Sequence, residues 1–292
     1  KTLNLAALPN IFMHVGTVTQ VVISTGSEQE TRVPALARVG AIYGLGFFLG
    51  AFISYPALRY LSMTKLAFLA AGIEVLSVAA VFAYYPTSLD TEERANGFSL
   101  SSFEVISRPG VLPLLVFKTA VIMAAGSVAF MAQQFALDPF GFSVGNAALL
   151  NGYRGALQIA SQVLLNGRIA GIRGTYLFAG VGVGGSLLFL SLAHSSTSFI
   201  LGLAPLILFF RCADTLLTAE ITLLVSAEEM GTALGIAVST LPLGQALSVS
   251  IASRLYKVKN FQFVALAAGA SLLAVTAVFD AIKYRPAEQV EQ

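Results

Sequence analysis

The stretch ALLNGYRGALQIASQVLLNGRIAGIRG, Ala148–Gly174, decides how the rest of the chain is read. Most of it is apolar and long enough to cross a bilayer, yet it carries Asn151, Arg154, Gln158 and Gln162. Steps of three, four and four residues put these side chains in one stripe on one face of a helix. An arginine in a spanning helix is costly unless it faces protein interior or water, so the stripe implies an internal polar face and a candidate pathway. The segment then breaks at a short turn, where Arg168 and Arg173 stand among Gly167, Gly171 and Gly174.

Composition agrees with a membrane setting. Of 292 residues, 56% are hydrophobic and 11% charged, with a mean hydropathy of +0.80. Soluble domains carry roughly 25% charged residues. Repeated apolar runs of about 20 residues imply an all-α, polytopic transmembrane bundle facing lipid. The net charge of +2 is scattered over short loops, so no nucleic-acid surface is expected. A single cysteine, Cys212, excludes an internal disulfide and a multi-cysteine metal site. With no tryptophan, tyrosines are left as the interfacial anchors.

The apolar runs predict about nine spans: 3–23, 34–58, 64–84, 111–136, 144–166, 173–193, 198–225, 232–254 and 261–282. The longest polar link, 85–110, is the expected domain boundary, dividing 1–84 from 111–292. In the first span His14 shares a face with Asn10 and Thr17, as a proton site or as a neutral ring bonded inside the bundle. In the third, Glu74 is either a proton or cation site or a buried structural carboxyl. Lys118 is expected to snorkel to an interface. Gly40 with Gly44, Gly46 with Gly50, and the run Gly180, Gly182, Gly184 and Gly185 are expected close-packing surfaces.

A second informative helix is PLILFFRCADTLLTAEITLLV, in which Arg211, Asp214, Thr218 and Thr222 share a face. Arg211 and Asp214 stand at i,i+3 and are expected to neutralise each other. The pair is read either as a structural salt bridge or as a charge pair that changes partners when a proton or solute arrives. Gly231 and Gly235 open the next helix, which Pro242 and Gly244 interrupt.

Three segments carry a family resemblance. ARVGAIYGLGFFLGAFIS, residues 37–54, looks like a glycine-rich fifth helix, with Gly46 and Gly50 matching and Ala51 where a proline is usual. LLNGRIAGIRG, 164–174, is similar to an eighth-to-ninth-helix loop, with Gly167, Gly171 and Arg173 following its pattern and Ala170 in place of its acid. SAEEMGTALGI, 226–236, is similar to the acid-rich turn and G-x-x-x-G before an eleventh helix. On these residues the chain resembles the major facilitator superfamily, nearest its organic cation transporter-like and tetracycline-resistance-like drug:proton antiporter members.

The resemblance implies two helical halves around a central cavity, with the chain matching the last nine of twelve helices as an N-terminally truncated fragment. Residues 1–84 would then match helices four to six, 85–110 the cytoplasmic inter-domain loop and 111–292 the C-terminal six-helix half. It also implies secondary, proton-coupled transport of a small organic solute by alternating access, with the glycine and arginine positions of the loops gating the halves. No cofactor is expected, and no P-loop or catalytic motif occurs. The candidate contacts for solute or coupling ion are Arg154, Asn151, Gln158, Gln162, Arg211, Asp214, Thr218, Glu74 and His14. The alternative is a transport-inactive membrane protein that acts by binding a partner. Plasma and organelle membranes both remain open.

Overall fold

In lipid the backbone must satisfy its own hydrogen bonds, and helices do so within each segment. The computed structural model of the chain describes residues 19–20, 23, 27, 29–84, 100–164, 174–226 and 228–282. Among them the helices are α1 (Gln29–Tyr60), α2 (Met63–Tyr84), α3 (Val111–Ala129), α4 (Ala132–Leu137), α5 (Val144–Leu164), α6 (Thr175–Leu190), α7 (Ser196–Leu223), α8 (Met230–Val258) and α9 (Phe261–Ala281). Six stretches are long and apolar enough to cross a membrane, with α3 and α4 counted as one. Helix α6 is shorter but apolar, and α5 is diluted by its polar stripe. Eight of the expected spans thus coincide with described helices, while most of the first span, with His14, lies outside the described residues.

Helix α7 occupies the centre, packing on α1, α3, α5, α6 and α8. Ser195 and Ser198 form a reciprocal capping box at its start, satisfying two of the amide groups that a helix end leaves open. Around α7, α9 packs on α3 and α6, and α8 packs on α3. Close to the starts of α4, α7 and α9, Phe135, Phe140, Phe199 and Phe261 form an aromatic cluster, with Phe140 stacked on Phe199 at 4.5 Å. Lipid tails are as apolar as leucine, so such packing, rather than hydrophobic burial, holds helices together in a bilayer.

The tightest seam joins α1 and α5. A Cβ on Gly155 would lie 2.6 Å from both the Gly44 carbonyl oxygen and the Phe48 amide nitrogen. One on Gly152 would meet the Ala51 methyl at 3.0 Å. Two backbones therefore touch directly here. Of the expected glycine surfaces, Gly40 and Gly44 lie in this seam, whereas a Cβ at Gly46, Gly50 or Gly235 would have open space around it. Their spacing is right for packing, but they turn to the side of the helix that has no described neighbour. Gly180, Gly182 and Gly184 are closed off by Thr276, Phe209 and Leu273, and Gly185 is open. Gly231 lies in the first turn of α8.

At the opposite end of the bundle from the aromatic cluster, Arg108 before α3 clasps Glu229 before α8. Its Nε and Nη2 donate to Oε1 at 3.0 and 2.6 Å, while the Ser226 amide and hydroxyl donate to Oε2. The Arg108 hydrogen bond holds the Glu229 carboxyl below its usual 4.5 and raises the guanidinium. A carboxylate depressed on folding contributes stability above its unfolded value, which is lost as pH falls through the folded one. Acidification below about 4.5 is therefore expected to loosen this turn. Hydrogen exchange at 226–230 should rise there in the native chain, but show no such acid step in Glu229→Gln.

Candidate functional site

The polar stripe of α5 meets α7 half-way along the bundle. Asn151, Arg154 and Gln158 of α5 line a small cavity together with Ile207, Phe210 and Arg211 of α7, and Phe47 of α1 and Ala129 of α3 complete it. Its volume is about 20 Å³, enough for a water-sized group. Arg154 and Arg211 thus bring two guanidinium groups to the wall of one cavity. The Arg154 guanidinium reaches the Asn151 carbonyl oxygen at 3.5 Å, and the Arg211 guanidinium sits 5.4 Å from the centre of the Phe210 ring. Neither arginine has an acidic side chain within 4 Å among the described residues.

The expected Arg211–Asp214 ion pair is not formed. Asp214 Oδ1 instead forms an ion pair with Lys118 Nζ of α3 at 3.1 Å, and Lys118 Nζ donates a hydrogen bond to Thr218 Oγ1 at 2.5 Å. Thr218 in turn donates to the Asp214 backbone oxygen at 2.6 Å. Lys118 does not snorkel; its side chain is 2% exposed. The reason is that α7 presents a carboxylate and a hydroxyl at the same depth, so the ammonium finds its partners inside the bundle. Both charges were visible in the sequence, but their pairing requires knowing that α3 and α7 are neighbours.

The remaining candidates scatter. Gln158 lines the cavity and also donates to the Gly40 carbonyl oxygen at 2.9 Å, tying α5 to α1. Gln162 is buried away from the cavity, wedged between Gly40 and Thr215, whose hydroxyl it accepts at 3.4 Å. Glu74 is exposed on α2, which touches the other described helices chiefly along α1, so it is not brought to the cavity. Gly167, Arg168, Gly171 and Arg173 lie outside the described residues, as does His14. Arg32 of α1, not singled out in the sequence, is buried and donates to Thr222 near the end of α7 at 3.0 Å.

No family model matches the chain. The helical arrangement is that of a major facilitator-like bundle, and the chain is an integral, multi-pass membrane protein. It superposes on the human organic anion transporter MFSD10 (TETRAN) with a TM-score of 0.74 at 15% identity, over 90% of this chain and 67% of that one. On the Escherichia coli fucose:proton symporter FucP the TM-score is 0.63 at 12% identity, over 93% and 73%. In sequence it is 28% identical to solute carrier family 22 member 18 of Rattus norvegicus over 269 residues. It is also 28% identical to solute carrier family 67 member A1 of Homo sapiens over 272 residues. The chain spans 63% and 62% of the length of these two relatives, with 86% of its own length matched in each. By name all four are solute carriers, transporters or symporters.

Proposed function

We propose that the chain works as a secondary active transporter of a small organic solute, by alternating access and with proton coupling. The observation that carries the reading is the pair of arginines facing one cavity, half-way through a carrier-like bundle and walled by helices from both sides of the 85–110 link. Arginine at membrane depth is expensive and marks a solute or ion path. Asp214, a half-buried carboxylate paired with Lys118 and one turn along α7 from Arg211, is the candidate proton site. A fucose:proton symporter and an organic anion transporter among the structural neighbours support an organic solute and a proton partner. On this reading 1–84 and 111–292 belong to two halves that rock about the cavity.

One observation favours a second reading, in which the chain binds a partner without moving solute. Helix α2 is predominantly apolar and largely unpacked, exposing Phe68, Ile73, Leu76 and Phe82 beside Glu74. Reconstitution discriminates the two. Proteoliposomes of the chain are expected to accumulate a labelled organic ion above protein-free vesicles under an imposed pH gradient, and to lose that uptake when the gradient is collapsed. Uptake indifferent to the gradient removes proton coupling, and no uptake above the protein-free level removes transport.

A further inference from the structure

We propose that the cavity between α5 and α7 seats the anionic group of the solute, and that Lys118 preserves this seat by keeping Asp214 off Arg211. The inference deepens the transport reading by naming the solute's class. Arg154 and Arg211 bring two like charges to one cavity whose lining contains no acid. Two half-buried cations facing one cavity are unfavourable until an anion arrives between them. A guanidinium offers a planar fork of donors that matches a carboxylate or sulfonate. Asn151 turns its carbonyl oxygen to Arg154 and keeps its amide hydrogens for a ligand. A volume of about 20 Å³ admits an oxygen-sized part of such a headgroup, not the whole solute.

The acid that would fill the seat from within is already on the same helix. Asp214 is three residues from Arg211, within ordinary reach of an ion pair. Lys118 takes it instead. Because Lys118 is fixed from two sides, by Asp214 and Thr218, it acts as a positioning residue. Without it the carboxylate turns to Arg211 and competes with the ligand.

The test uses three probes of similar size, benzoate, phenyltrimethylammonium and benzyl alcohol, in equilibrium binding to the detergent-solubilised chain. Benzoate is expected to bind most tightly. Arg154→Gln and Arg211→Gln should each weaken it by about tenfold or more, as removal of a buried charge partner does. Lys118→Met should weaken it comparably, and adding Asp214→Asn should restore it, a recovery that a merely structural lysine would not show. Tighter binding of the cation or the alcohol by the native chain overturns the proposal without any variant. So does benzoate affinity indifferent to both arginines. A double variant that does not bind benzoate like the native chain overturns the role of Lys118, even if Lys118→Met fails to fold. Cation flux in proteoliposomes without anion flux sinks this inference and leaves transport standing. Anion binding without any flux does the reverse.

Discussion

Oxidation of a chain carrying Ala51→Cys and Gly152→Cys is expected to arrest solute uptake, and a thiol reductant to restore it. The two Cβ positions stand 3.0 Å apart across the α1–α5 seam, a little closer than the 3.5–4.5 Å of ordinary disulfides, so a small shift suffices to form the bond. If the two halves rock about the cavity, α1 must part from α5 once per cycle, and a covalent bond there holds the chain in one state. Each single variant, which cannot cross-link, should be insensitive to oxidant, since the native Cys212 is buried. Gly155→Leu probes the same seam from the other direction. Its side chain would be driven into the backbone of Gly44 and Phe48, which moves only if the whole helix moves. That variant should depopulate the closed seam, seen as loss of the Ala51→Cys, Gly152→Cys cross-link. Uptake unaffected by a quantitative cross-link would mean that the seam stays shut throughout transport.

Replacing Asp214 by Asn alone is expected to cost about 3–5 kcal/mol, the usual penalty for removing one partner of a buried ion pair. The stranded group would be the Lys118 ammonium, with 2% of its side chain exposed against 21% for Asp214. The cost should appear as a lowered thermal midpoint in detergent. Lys118→Met alone should cost less, because the more accessible carboxylate can turn towards Arg211. The double variant should recover most of the loss, since a buried pair replaced as a unit is often neutral. Equal thermal midpoints for Asp214→Asn with and without Lys118→Met would show that the pair is energetically idle.

What the sequence makes legible follows from local rules. Hydropathy locates the spans because a bilayer fixes their length, and the steps of three and four residues from Asn151 to Arg154 and Gln158 give the face of α5 that lines the cavity. Arg211 was legible for the same reason. What was not legible depends on neighbours. Gln162 continues the stripe by spacing, but α5 leans on α1 there, and Gly40 leaves room that the Gln162 side chain fills. Local spacing pairs Asp214 with Arg211 because sequence shows only the partner on its own helix, whereas α3 brings Lys118 to 3.1 Å. Gly44 and Gly46 have the same local character, and only the rotation of α1 against α5 decides which one makes contact.

The seam itself has one more consequence. Where Gly44 meets Gly155, and Ala51 meets Gly152, the helices touch through backbone and methyl groups, with no polar side chain between them and no room for a solvent molecule. A proton crosses protein along a wire of waters or titratable groups, and this joint offers neither. If this contact opens for cargo, as the proposed transport requires, it is an insulator while shut, and an ion gradient that drove the cycle would not leak away through it.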